Sequence, residues 1–117
     1  MDTGLNERIA VEVMGYQFST PPEMVSNHWW RKMPDGYVDV CFDGLPSYDK
    51  YIQYAWLVVD ELHKRGVYVM VNYSDDITCR MWYPHEDIVA YGFHQPTTPL
   101  AICLAALALC EKLKKVG

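Results

Sequence analysis

Two short runs carry the side chains best suited to holding another molecule. "HWWR" puts His28 and Trp30 on one face of an extended strand and Trp29 and Arg31 on the other, and "CRMW" puts Arg80 and Trp82 on a shared face. An aromatic plane beside a guanidinium suits a flat anionic ligand such as a nucleotide, the ring stacking on a base while the Arg pairs with phosphate. The same chemistry suits a protein hot spot. With Tyr37 the candidate ligand-binding set is His28, Trp29, Trp30, Arg31, Tyr37, Arg80 and Trp82. A plainer role fits these residues too: tryptophans covering a helix–sheet core, with Arg80 reaching past them to water.

Catalytic patterns are missing. The chain has no Gly-x-Ser-x-Gly, no glycine-rich phosphate loop and no dinucleotide fingerprint, so no catalytic residue is expected and the chain reads as a non-enzyme. "PHED" supplies His85, Glu86 and Asp87 for acid–base work, but reads as a solvated acidic loop. Zinc would need four convergent ligands, usually from close pairs on turns. His28, His63, His85 and His94 share no short loop with Cys41, Cys79, Cys103 or Cys110. Cys103 and Cys110, seven apart on one helix, stand roughly 10 Å from each other. Neither a metal nor a cofactor is expected, and the cysteines read as buried small hydrophobes in reduced form.

The elements that must position these residues follow from periodicity. Leu5, Ile9 and Val13 make the buried stripe of a first helix ending at Met14, with Gly15 as its stop. "YQFSTPPEMVSN" reads as an irregular connection with room for one short strand. "HWWRKMPDGYVDVCF" then predicts a hairpin turning at Pro34-Asp35-Gly36, with Val38, Val40 and Phe42 on one face of its second arm and Tyr37, Asp39 and Cys41 on the other. A second helix is expected from Ser47 as N-cap, with Asp49 in its first turn, Lys64 and Arg65 in its last and Gly66 beyond. Its stripe of Tyr48, Tyr51, Ile52, Ala55, Trp56, Val59 and Leu62 should cover a sheet. "VYVMVNY" and "ITCRMWY" around "SDD" predict another hairpin, apolar on both faces and so covered on both sides, and "IVAYGF" a further strand.

"TTPLAICLAALALCEKLKK" closes the described pattern. Its apolar run of about a dozen residues spans on the order of 18 Å as a helix, short of a hydrocarbon core of about 30 Å. It reads as a core helix with Thr98 as N-cap and Pro99 at the first position, its alanines allowing close approach to the sheet. The fold class expected is α+β: one domain over 1–117, a three-layer α/β/α sandwich around a small, mostly antiparallel sheet of about five strands with helices on both faces.

Composition agrees with a folded domain. At 117 residues the chain can bury one core, and 50% apolar with 21% charged residues is not the profile of disorder. A net charge of −5 with scattered basic residues argues against a nucleic-acid duplex as partner. The opening "MDTGLNERIA" lacks a secretory pattern, so a cytoplasmic protein is expected.

Three stretches, "NERIAVEVMGY", "YIQYAWLVVDELHKRGVYVMV" and "TTPLAICLAALALCEKL", resemble the phage ABA sandwich domain family, small proteins encoded by bacteriophages and prophages. The resemblance implies an α/β/α layered fold and structural motif positions: Gly15 a stop, Trp56 a core anchor, Thr98 and Pro99 a start, Ile102 and Cys103 core. It transfers no catalytic residue. "PPEMVSNHWWRKMPDGYVDVCF" departs from the family pattern, which is where a ligand surface could diverge.

The resemblance and the lack of enzyme motifs together imply a non-enzymatic phage or prophage accessory protein acting by binding in the cytoplasm of a bacterial host. Its most concrete form is a counter-defence protein sequestering a nucleotide-type host signalling molecule, using Arg31, Arg80 and their aromatic neighbours. The alternative is a protein-interaction module that inhibits a host protein, or joins a phage assembly, through the aromatic hairpin. A homo-oligomer would hide some of the aromatics.

Overall fold

The structure, a computed structural model, describes residues 3–73 and 76–116. Among the described residues there are three helical regions and two three-stranded antiparallel sheets. The first helix, α1 (Thr3–Arg8), continues as a π-helical segment over Ile9–Met14. Ile9, Ala10, Val13 and Met14 are buried there, and Gly15 ends the segment at φ 81°, a left-handed angle that a glycine adopts without strain. The expected stripe and stop are therefore present, with a wider coil in the second half.

Beyond Gly15, β1 (Gln17–Ser19), β2 (His28–Lys32) and β3 (Val38–Cys41) form the first sheet in the order β1-β2-β3. The β2–β3 hairpin turns where the sequence predicts. Gly36 N–H donates to the Met33 carbonyl at 2.9 Å, Met33 N–H to Tyr37 at 2.7 Å, and Asp35 Oδ1 accepts from Tyr37 N–H at 2.9 Å. Trp29 lies opposite Cys41, and Arg31 opposite Asp39. Trp29 and Cys41 pack against the core, so this is the inward face.

The second helix, α2 (Ile52–Lys64), starts later than expected. Ser47 accepts one turn of hydrogen bonds from Lys50 and Tyr51, but Tyr51 is extended (φ −113°, ψ 128°) and breaks the coil. Burial of Tyr48, 1% exposed, holds this turn in the core, and Asp49, also buried, donates its N–H to Asn6 Oδ1 at 3.3 Å. Ser47 is thus not the N-cap, and Asp49 is not in the first turn. The buried stripe within α2 also differs from the expected one. Ala55, Val58 and Leu62 face inward while Trp56 is 47% exposed, which corrects its expected role as a core anchor. Nor does α2 chiefly cover a sheet, since it packs on the last helix and on the π-helical segment.

The second sheet has the order β4-β5-β6, built from β4 (Tyr68–Tyr73), β5 (Ile77–Tyr83) and β6 (Ile88–Gln95). Part of the expected "SDD" turn, Ser74 and Asp75, lies outside the described residues. Cys79, Met81, Ile88 and Ala90 are buried on one face, beneath α3 (Thr98–Val116). Thr97, not Thr98, caps α3: its carbonyl accepts from Ala101 N–H at 3.1 Å and its hydroxyl from Leu100 N–H at 3.4 Å. Ala101, Ile102, Cys103, Ala105, Ala106 and Leu109 are fully buried, and full burial of Ile102 or Leu109 contributes about 2 kcal/mol each. Among the described residues no helix is long and apolar enough to cross a membrane.

Two expectations are corrected. The single sheet of about five strands is two separate three-stranded sheets, because β1 completes the first and no pairing among the described residues joins β3 to the second. The expected helices on both faces of that sheet are also not found: the face of β4–β6 bearing Tyr68 and Met70 is exposed. Apolar residues on both sides of these strands reflect one packed face and one open one.

An ion-pair cluster ties the first helix to α3. Glu12 pairs with Arg8 at 3.1 Å and with Lys114 at 3.2 Å. Burial pushes the Glu12 carboxyl up, but the two cations outweigh it and hold the group below its ordinary value of 4.5. A carboxyl depressed in the fold stabilises it above the unfolded pKa and loses that contribution as pH falls through the folded one. Both cations are exposed, so the effect is about 0.5 kcal/mol. Urea midpoints of wild type and Glu12→Gln should therefore differ slightly at neutral pH and converge below the glutamate range; a gap that widened in acid would refute the pairing.

Candidate functional site

The sequence-identified residues divide between the two sheets. On the first, Arg31 is committed to the scaffold. Its Nη1 donates to the Met14 carbonyl at 2.8 Å and to Glu61 Oε1 at 3.3 Å, its Nε donates to Asp39 Oδ2 at 3.3 Å, and its guanidinium lies 4.7 Å from the Tyr16 ring centre. Tyr16 donates its hydroxyl to Asp39 at 2.6 Å. Arg65 closes the cluster, donating Nη2 to Glu61 Oε2 at 3.1 Å and to the Val13 carbonyl. Helix C-termini leave carbonyls without intrahelical partners, and here two guanidiniums satisfy those of Val13 and Met14. Burial raises the Tyr16 phenol well above its ordinary value and the hydrogen bond to Asp39 adds to the rise. For Arg31, burial opposes the charge, but Tyr16, Glu61 and Asp39 overcome it and hold the cation.

The remaining hairpin candidates are similarly occupied. Trp29 packs on the core and against Phe18, with ring centres 5.4 Å apart. Trp30 donates its indole N–H to Ser19 Oγ at 2.9 Å. His28 meets Phe42 edge-on at 5.6 Å and Ser26 Oγ at 3.1 Å. Tyr37, beside the turn, is exposed. His28 and Trp30 share one face and Trp29 and Arg31 the other, as the alternation predicts, so the four do not converge.

Arg80 and Trp82 stand in a different setting. Both project from the central strand of the β4–β6 sheet onto its open face. Across the ladders Met70 and Tyr91 flank Arg80, while Tyr68 and Val89 flank Trp82. Tyr68 and Trp82 are tilted rings 5.9 Å apart, and Tyr91 and Phe93 stack at 4.7 Å with only 12° between planes. Tyr68, Met70 and Phe93 are each more than half exposed (56%, 57% and 53%). Arg80 is the single Asp, Glu, Lys or Arg in the three strands, and it makes no ion pair among the described residues. A shallow groove of about 100 Å³ runs between Tyr68, Met70, Arg80 and Trp82.

Sequence reasoning missed Tyr68, Met70, Tyr91 and Phe93. The alternation of β4 and β6 contains the signal, since these four lie on the face that carries Arg80 and Trp82, but apolar residues on both faces predict cover on both sides. Thiol chemistry is not part of the site. Burial pushes Cys79 and Cys103 up to about 12, and Cys41 and Cys110 also rise, chiefly through burial. His85, Glu86 and Asp87 sit in an exposed turn, and the side chain of His94 lies outside the described residues.

Residues 7–107 match the family described as the phage ABA sandwich domain. The chain is also similar to a solved crystal structure, a phage protein from Bacillus cereus ATCC 14579, at 28% identity over 90% of this chain and 87% of that one, with a TM-score of 0.61. Among curated proteins none matches.

Proposed function

The chain belongs to the phage ABA sandwich domain family, and from that premise we propose that it is a non-enzymatic phage accessory protein that binds a nucleotide-type molecule on the open face of its β4–β6 sheet. The observation that carries this reading is the arrangement of Tyr68, Trp82, Tyr91 and Phe93 around Arg80, which has no ion pair among the described residues. Bases stack on exposed sheet aromatics, and a guanidinium among them pairs with phosphate. One cation among the described strand residues of this face, in a chain of net charge −5, favours a small ligand over a polymer, whose many phosphates would need a basic track. In a host cytoplasm, sequestration of a signalling nucleotide would serve counter-defence. The groove on one chain is small beside the roughly 300 Å³ of a usual ligand site, so a second copy closing over the face is part of this reading.

A second reading, docking of a host or phage protein through the β2–β3 hairpin, draws support from Tyr37 and Phe42, which are 65% and 69% exposed. One titration separates the two. Purified protein is titrated with cyclic dinucleotides and ADP-ribose derivatives by calorimetry, beside Arg80→Ala, Trp82→Ala and Tyr37→Ala/Phe42→Ala. The sheet-face reading expects micromolar binding reduced about tenfold or more by the first two variants and unchanged by the third. Absence of binding to every nucleotide, or equal loss in the hairpin variant, refutes it.

A further inference from the structure

A second cavity, of about 280 Å³, opens where the Gly15 turn, the end of β2 and the last turns of α2 meet. Arg31, Lys32, Glu61 and Lys64 line its charged side, and Met14 and Met33 are among its apolar walls. The charges do not balance. Glu61 is the one carboxylate in the lining, and its oxygens are already taken by Arg31 and Arg65. Arg31 spends Nε and Nη1 on the scaffold, leaving Nη2 without a hydrogen bond among the described residues. Lys32 and Lys64 have no ion-pair partner among those residues either. Gly15 adds no wall, since a side chain there would meet nothing within 4 Å.

We propose that this cleft binds a small phosphate-class dianion, either free or as the head of a phosphomonoester. Arg31, Lys32 and Lys64 all line it; Arg31 is countered by Asp39 and Glu61, whereas the two lysines have no counterion among the described residues, in a chain that is acidic as a whole. The two uncompensated ammonium groups gain a partner when a doubly charged oxyanion accepts hydrogen bonds from them and from Nη2. Arg31 arrives oriented, because Asp39, Glu61 and the Met14 carbonyl fix its plane, so little side-chain entropy is lost on binding. The volume, close to the lower end for small-ligand clefts, fits a phosphate with a short ester and not a whole dinucleotide. The site is independent of the sheet face.

The test is calorimetric titration of the full chain with inorganic phosphate and with phenyl phosphate at low ionic strength. Saturable binding is expected, weakened about tenfold or more in Lys32→Gln/Lys64→Gln, whose thermal midpoint should match wild type. Arg80→Ala should bind as wild type does, which separates this cleft from the sheet face. Tighter binding of phenyl phosphate assigns the site to esters, and equal affinity assigns it to the free anion; either supports the cleft. No saturable binding of either anion, full affinity in the double lysine variant, or loss in Arg80→Ala overturns it.

Discussion

Replacing Gly92 with alanine is expected to destabilise the protein by about 3 kcal/mol or more, visible as a melting point lower by roughly 10 °C. A Cβ at this position would stand 2.3 Å from the carbonyl oxygen of Ala101 and 3.1 Å from the amide nitrogen of Ala105. Those are backbone atoms of α3, so no rotamer change relieves the overlap. The helix would have to lift from β6 or the strand would have to bend. Because α3 lies along β5 and β6 and buries Ile102, Cys103 and Leu109, lifting it opens the core. Thermal and urea unfolding of Gly92→Ala beside Tyr91→Ala checks this. Tyr91, the preceding residue on the open face, should shift stability by under about 1 kcal/mol. Equal stability of the two variants would show that the strand and helix are not in this close register.

Arg31→Ala is expected to cost about 2–3 kcal/mol in urea denaturation, the range for losing hydrogen bonds to charged partners at a side chain only 16% exposed. The substitution leaves Asp39 with the Tyr16 hydroxyl alone, strands the Met14 carbonyl and leaves Glu61 with Arg65 alone. Arg31→Lys should recover little, because one ammonium cannot reach β3, α2 and the helix end at once. Removing Asp39 together with Arg31 should cost less than the sum of the single losses. If Arg31→Ala unfolds like wild type, the guanidinium is not a structural tie, and Arg31 belongs with the ligand-binding candidates on the hairpin.

These two positions also show how far the sequence could be read. The hairpin turn at Met33–Gly36, the stop at Gly15 and the core face of α3 are set by neighbouring residues, and all were legible in short windows. Arg31 was legible as a candidate but not in its role, because its partners Met14, Asp39 and Glu61 lie up to 30 positions away. The division into two sheets likewise depends on which edges pair, and alternation along one strand carries no record of its neighbour. Trp56 failed for a distant reason: α2 packs on α3 and the π-helical segment, which bury Ala55, Val58 and Leu62 and leave Trp56 outside. Gly92 stood in plain view, a glycine inside a strand pattern, which often marks close approach of another backbone.

Strand β6 therefore lives under two regimes that alternate residue by residue. Ala90 and Gly92 are fixed by the helix against them, whereas Tyr91 and Phe93 project to the open face, 40% and 53% exposed, and can change at small cost to the fold. A lineage could exchange those outward rings for others and try new ligands while keeping the same fold, so the strand is an evolvable surface mounted on an immovable support.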